Sequence, residues 1–185
     1  MLSSNIWKTK LPFSIIEAPE KFPDFTGISY NSLDTRPGDL FVAVKGFTAD
    51  GHDYISEAVK KGAAGIICEE KTSSIDIPQI VVSDSRRALS FISAAFYDFP
   101  SQKVNIIGIT GTNGKTTTGT IIEKILEGAG KNPGFIGTID SHYICPDKTV
   151  EKIENSTTTP ESKDLQEIIK RMKDNHVTDI IIEVS

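Results

Sequence analysis

The sequence predicts an α/β fold in two units, a small N-terminal α/β domain at residues 1–100 and part of a second α/β domain at residues 103–185. Short runs rich in isoleucine and valine alternate with segments whose apolar residues recur at helical spacing. The pattern restarts after residues 99–103, whose Phe-Pro-Ser-Gln-Lys composition is typical of a linker. Strands that alternate with amphipathic helices favour parallel sheets with right-handed crossovers.

The first unit is predicted from apolar runs bounded by turn residues. Its predicted elements are a strand at 40–44, a helix from about 53 to 62, strands at 65–68 and 79–82, and a helix from 84 to 100. Gly62 is a typical helix stop, and Asp84 is a typical N-cap. Pro100 cannot continue the second helix, so that helix is expected to end there.

The second unit repeats the alternation of strand and helix. Its predicted elements are a strand at 104–109, a helix at 115–128, a strand at 135–139, an irregular segment at 141–157, a helix from 161 and a strand at 179–184. A parallel sheet needs helices on its faces, and no helix follows the last strand. The sequence therefore predicts that residues 103–185 are a truncated domain.

Composition excludes several classes of protein. Of the 185 residues, 38% are hydrophobic and 24% are charged, which is the usage of globular domains. The net charge of −5 disfavours a nucleic-acid binder, which usually carries a basic surplus. The apolar runs are too short for membrane insertion, and the N-terminus lacks the pattern of a secretory signal, so a cytoplasmic protein is expected. The two cysteines and three histidines are scattered and form no metal-binding pattern.

A glycine-rich turn between a predicted strand and a predicted helix carries the sharpest signal. Glycines turn successive N–H groups inward at the positive end of the helix dipole, which suits the phosphates of ATP. Lys115 is expected to reach the phosphates, and the Thr116 hydroxyl to contact Mg²⁺. The usual spacing has glycine where this chain has Ile109, so the alternative is a turn that binds nothing. The predicted ATP-binding residues are Gly111, Thr112, Asn113, Gly114, Lys115, Thr116 and Thr117.

Glu183 ends the last predicted strand. Ligands of parallel sheets gather at the carboxyl ends of strands, and a carboxylate there can hold Mg²⁺ against phosphates. The alternative is a solvated acid at a strand end. With the loop, Glu183 predicts the first part of a P-loop-type parallel-sheet ATPase domain, in which Thr116 and Glu183 are the metal ligands and Lys115 and Glu183 are the catalytic residues.

Three stretches together resemble the Mur ligases, which are ATP-dependent amide-bond-forming enzymes of peptidoglycan synthesis. They are residues 37–43 with 46–53, residues 110–118, and residues 157–162 with 183–185. The Thr-Thr-Pro-Glu-Ser run and the Glu-Val-Ser strand end resemble the member that adds the third amino acid to UDP-N-acetylmuramoyl-L-alanyl-D-glutamate. The resemblance implies a reaction through an acyl phosphate, with the UDP-N-acetylmuramoyl dipeptide and an amino acid as substrates. It leaves open whether diaminopimelate, lysine or another amine is joined.

The resemblance also implies substrate-binding residues. The N-terminal domain is expected to bind the uridine diphosphate end of the substrate, and Thr158, Thr159 and Ser185 to contact the muramoyl peptide. The residues implied for the uridine diphosphate end are Ser32, Gly46, Phe47 and Thr48. Leu33 replaces an arginine that is usual in the family, which removes a five-donor group near that site. Alternatively, Ser32 is a turn residue, and the threonines cap the helix that follows Pro160.

Two other functions remain open at this point. One is a non-catalytic module that binds a nucleotide or a UDP-sugar. The other is a different member of the superfamily, such as the ligase that adds a dipeptide or a folylpolyglutamate synthetase. The sequence predicts a monomer, and the isolated fragment is expected to have little or no ligase activity.

Overall fold

The computed structural model describes residues 11–46, 49–138, 141–154 and 157–185. The chain forms two compact units, Met1–Phe96 and Tyr97–Ser185. Each unit is built on its own β-sheet.

The first unit contains a five-stranded sheet in the order β1-β5-β4-β3-β2 among its described residues. Strands β2, β3, β4 and β5 are parallel to one another, and β1 pairs antiparallel to β5. Its strands and helices are β1 (Ile15–Glu17), β2 (Gly27–Ser29), β3 (Asp39–Val42), α1 (Ile55–Lys60), β4 (Gly65–Cys68), β5 (Gln79–Val82) and α2 (Ser85–Phe96). Single turns of 3₁₀ helix occupy Ser32–Asp34 and Gly51–Tyr54.

Successive residues of a strand point to opposite sides of the sheet. Both faces are buried because a helix packs against each side. Leu40 and Val42 pack with Leu89 of α2 on one face. Phe41 packs with Ala58 of α1 on the other face. Burying one such large apolar side chain contributes about 1.5–3 kcal/mol. The predicted strands and helices of this unit are present, whereas β1 and β2 lay outside the prediction.

The second unit contains a five-stranded sheet in the order β6-β10-β7-β8-β9 among its described residues. Its elements are β6 (Asn105–Thr110), α3 (Lys115–Gly128), β7 (Pro133–Ile136), β8 (Ser141–Ile144), β9 (Val150–Lys152), α4 (Ser162–Asp174) and β10 (Asp179–Val184), preceded by a 3₁₀ turn at Pro100–Gln102. Strand β10 lies parallel to β6 on one side and to β7 on the other. Because β10 pairs with β6 along its whole length, the C-terminal ends of these two strands lie side by side.

The prediction that residues 141–157 are irregular is wrong. Strands β8 and β9 form a hairpin that extends the sheet antiparallel to β7. Tyr143 is fully buried there, and its hydroxyl donates to Glu151 at 2.8 Å across the hairpin. These two strands were not recognised in the sequence because only one of their faces is buried, so polar and charged residues interrupt the apolar pattern. The α/β class is confirmed, but both sheets are mixed rather than wholly parallel.

Within the part of the chain that the structure describes, no helix is long and apolar enough to cross a membrane.

Candidate functional site

The turn between β6 and α3 has the backbone that the sequence predicts. Gly111 has φ +150° and Gly114 has φ +79°, values that residues with a side chain rarely adopt. A Cβ on Gly114 would meet nothing within 4 Å, so backbone conformation alone requires glycine there. Residues 111–114 are exposed. The first turn of α3 has no side-chain cap, so its N–H groups remain available to an anion.

Lys115 lies across this loop. Its Nζ donates to the carbonyl oxygen of Gly111 at 2.8 Å. The ammonium group is therefore beside the turn that would surround a phosphate. Among the other predicted nucleotide contacts, Thr112, Asn113 and Thr117 are exposed in the loop and in the first turn of α3.

Glu183 lies at the end of β10, where it is paired with Ile109 of β6. The residue is fully buried, which excludes the alternative of a solvated acid. Its Oε2 accepts from the Thr138 hydroxyl at 2.8 Å and from the Thr138 N–H at 3.4 Å. Within the described residues, its Oε1 is buried and has no hydrogen-bond partner.

The electrostatic surroundings keep Glu183 charged. Burial alone would raise its pKa, but the neighbouring hydroxyls of Thr116 and Thr138 and the positive charge of Lys115 outweigh burial, and the pKa is lowered. A buried, ionised carboxylate with one oxygen that meets no partner in the described part of the chain suits a cation. The structure thus brings together the two predicted metal ligands, Thr116 and Glu183.

The donor set fits Mg²⁺ better than a transition metal. No group of three or more histidine, cysteine or acidic side chains lies together in the described residues. Mg²⁺ is usually held by one or two protein oxygens together with phosphate oxygens and water. The Thr116 hydroxyl and the Glu183 carboxylate supply such oxygens.

Gly137 and Thr138 belong to this site but were missed as site residues. A Cβ on Gly137 would lie 2.8 Å from Oε1 of Glu183 and 2.5 Å from Cε1 of Phe135. Glycine is therefore needed for the carboxylate to approach this backbone. A glycine inside a predicted strand indicates such a close approach, and that signal was present in the sequence.

The predicted substrate threonines lie at the same end of β10. The Thr159 hydroxyl donates to the carbonyl oxygen of Glu183 at 3.0 Å and lies 3.2 Å from the Ser185 hydroxyl. The Thr158 hydroxyl lies 3.1 Å from that of Thr138. The N-cap position of α4 is Glu161, without a side-chain cap bond. The alternative in which Thr159 caps this helix is therefore wrong.

The predicted residues of the first unit are arranged differently. Ser32 is buried, and its hydroxyl donates to Oε2 of Glu57 at 2.7 Å. Leu33, which stands where the family usually has arginine, is 70% exposed, so its side chain contributes little to packing. The N–H of Gly46 donates to the carbonyl of Ala49 at 2.9 Å. Phe47 and Thr48 lie outside the described residues.

Comparison with known proteins identifies the family. Residues 109–185 match the Mur ligase middle domain, and residues 24–97 match the Mur ligase family, catalytic domain. The chain belongs to the Mur ligase family. The resemblance stated from the sequence motifs is thereby confirmed, and the family consists of ligases.

The relatives of this Mur ligase chain carry a more specific name. A UDP-N-acetylmuramoyl-L-alanyl-D-glutamate–2,6-diaminopimelate ligase of Bacillus velezensis is 46% identical over 163 residues, which are 88% of this chain and 32% of the relative. The ligase of the same name from Clostridium botulinum is 41% identical over 188 residues, covering 100% of this chain and 38% of the relative. The chain thus spans about a third of the length of the curated relatives it matches.

Solved structures agree on the fold. A ligase of the same name aligns with TM-score 0.65 and 21% identity, over 87% of this chain and 32% of that one. A MurF ligase of Thermotoga maritima in complex with ADP aligns with TM-score 0.54 and 27% identity, over 84% of this chain and 31% of that one.

The function predicted from the sequence requires correction. That prediction was a ligase that adds an unspecified third amino acid, with a non-catalytic module or another superfamily member as alternatives. The relatives are named for one amine, 2,6-diaminopimelate, and the aligned part is about a third of their length. The prediction is therefore wrong in leaving the amine open.

Proposed function

We propose that this chain provides the ATP-binding site of a 2,6-diaminopimelate-adding Mur ligase. The observation that carries the proposal is the juxtaposition of the Gly111–Thr116 loop with the buried carboxylate of Glu183 at the end of β10. The names of the relatives support the choice of amine, and the ADP complex of the Thermotoga maritima ligase supports a nucleotide as the ligand.

The loop residues divide the work of binding ATP. The N–H groups at the start of α3 would donate to phosphate oxygens, and Lys115 would leave the Gly111 carbonyl to pair with the terminal phosphates. Phosphoryl transfer depends chiefly on positioning and on neutralising charge, and these groups provide both. A protein nucleophile is not needed for this step.

Thr116 and Glu183 would hold Mg²⁺ through a hydroxyl and a carboxylate oxygen. Bound magnesium neutralises negative charge on the phosphates. Oε1 of Glu183, which has no hydrogen-bond partner among the described residues, supports this role, since an ionised buried oxygen without a partner is costly unless a ligand meets it.

The remaining substrate contacts are proposals from the resemblance. Thr158, Thr159 and Ser185 would contact the muramoyl peptide, and their location at the end of β10 supports this role. The first unit, with Ser32 and Gly46, would bind the uridine diphosphate end. The monomeric state and the cytoplasmic location stay predictions.

The test is isothermal titration of the chain with ATP and MgCl₂. The wild-type chain should bind, and Lys115→Ala should bind at least about tenfold more weakly, because a charge-assisted hydrogen bond contributes about 1.5–3 kcal/mol. Lys124→Ala is the matched control, since Lys124 lies on the same helix but pairs with Glu127 at an exposed position. Equal affinities of the two variants would contradict the proposal.

A further inference from the structure

Thr138 contacts Glu183 but is not part of the phosphate-loop pattern, so that pattern does not explain its role. Thr138 follows β7 and makes two hydrogen bonds to the same carboxylate oxygen, from its hydroxyl at 2.8 Å and from its N–H at 3.4 Å. Both bonds fall on Oε2. They restrain the carboxylate plane and leave Oε1 as the oxygen without a partner in the described part of the chain.

The Thr138 hydroxyl also lies 3.1 Å from the hydroxyl of Thr158. A threonine hydroxyl carries one proton, and a carboxylate is a stronger acceptor than another hydroxyl. The Thr138 hydroxyl can therefore donate to Glu183 or to Thr158, and the carboxylate is the preferred acceptor. Thr138 thus lies between the carboxylate of Glu183 and the hydroxyl of Thr158, within hydrogen-bond distance of both.

The loop that contains Thr158 and Thr159 also contacts the backbone of Glu183. The hydroxyl of Thr159 donates to the backbone carbonyl of Glu183 at 3.0 Å. Adjacent threonines thus fix both the main chain of Glu183 and, through Thr138, its side chain.

We propose that Thr138 is a positioning residue: it holds Oε2 of Glu183 so that Oε1 serves as the metal-binding oxygen, and it links that carboxylate to the Thr158–Thr159 loop. The inference rests on the proposed function, because it assigns a role at the same metal site. Groups that orient a metal ligand commonly change metal affinity about 10- to 100-fold when they are removed.

The experiment uses Mn²⁺ as the metal probe and ADP as the nucleotide. The affinity for ADP is measured with Mn²⁺ and with EDTA, and the ratio of the two affinities reports the contribution of the metal. Thr138→Val should lower this ratio about tenfold while leaving the affinity in EDTA unchanged. Thr138→Ser, which keeps the hydroxyl, should restore the ratio. Thr158→Val should lower the ratio less, because both bonds to Oε2 remain.

Thr149 offers a matched control. Its N–H and hydroxyl donate to one oxygen of Asp147, at 3.0 Å and 2.6 Å, in the exposed turn between β8 and β9. Thr149→Val removes the same kind of bond from the same unit and should leave the ratio at the wild-type value.

Three results would overturn the inference. Thr138→Val could keep the full ratio, Thr138→Ser could fail to restore it, or Thr149→Val could lower it equally. If the wild-type chain itself gains no affinity from Mn²⁺, the metal site of the proposed function fails as well. If instead the wild-type chain gains affinity from Mn²⁺ and Thr138→Val gains as much, only the inference about Thr138 fails and the proposed metal site stands.

Discussion

Each unit contains a hydroxyl that donates to a glutamate at nearly the same distance, in very different surroundings. Ser32 donates to Glu57 at 2.7 Å in the first unit, and Thr138 donates to Glu183 at 2.8 Å in the second. The Glu57 side chain is 40% exposed and also lies 3.8 Å from Nζ of Lys61. Glu183 is fully buried and keeps one oxygen without a partner among the described residues.

The comparison separates a bond that completes a fold from a bond that prepares a site. Water can solvate Glu57, so the Ser32 bond fastens a surface turn to α1 at little cost. Water cannot reach Glu183, so its ionised state is maintained by Thr116, Thr138 and Lys115 at a cost in desolvation. Such a cost is typical of functional positions, where stability is lost in return for a charge held in one place.

The largest expected effect comes from filling the space beside Glu183. In Gly137→Ala the new Cβ would press on Oε1 of Glu183 and on the ring of Phe135, neither of which can move freely. We expect a loss of about 3 kcal/mol in the free energy of unfolding, the upper end for overpacking, together with loss of ADP binding. Urea denaturation and titration calorimetry measure the two effects.

Gly134→Ala is the control for that variant. Its Cβ would lie 2.7 Å from Sδ of Met172, and a methionine side chain can move aside. The expected loss is about 1 kcal/mol, with ADP binding retained. Similar losses in the two variants would mean that the Glu183 carboxylate is not confined as the structure describes.

The next effect is a dependence of stability on pH. The pKa of Glu183 is lowered in the fold, so this residue stabilises the folded state above its unfolded pKa of about 4.3. That contribution is lost as the pH falls through the folded pKa. The wild-type chain should therefore lose unfolding free energy more steeply than Glu183→Gln between about pH 5 and pH 3.

Chemical denaturation of both proteins at a series of pH values measures this difference. Other carboxyls with lowered pKa, such as Asp179, are present in both proteins and cancel in the comparison. Parallel pH curves would show that Glu183 is not preferentially ionised in the fold.

The contrast between the two glutamates also explains what could be predicted from the sequence. The loop at Gly111–Thr116 was predictable because glycine, lysine and threonine act there through local backbone geometry. Glu183 was predictable because a strand end in a parallel sheet is a known location for ligands. Local patterns carry both signals.

Thr138 and the β8–β9 hairpin were not recognised, since their roles depend on contacts between distant segments. Thr138 reaches Glu183 across 45 positions of sequence. The hairpin depends on Tyr143, whose burial follows from pairing with β7 and β9. Similarly, nothing local to Ser32 indicates that its partner is Glu57, 25 positions away.

The smallest expected effect tests the first unit. Ser32→Ala removes the hydroxyl that donates to Glu57, and because the solvent-exposed carboxylate can turn to water, we expect a loss of only about 1 kcal/mol in unfolding free energy. Ser93→Ala is the matched control, since the buried Ser93 hydroxyl has no hydrogen-bond partner in the described residues and its removal should cost nothing.

The Ser32 hydroxyl donates only once and can still accept, so it can serve both the turn and a ligand. Titration with uridine diphosphate then decides its second role: the resemblance predicts weaker binding by Ser32→Ala than by Ser93→Ala, and equal binding would leave Ser32 with the structural role alone.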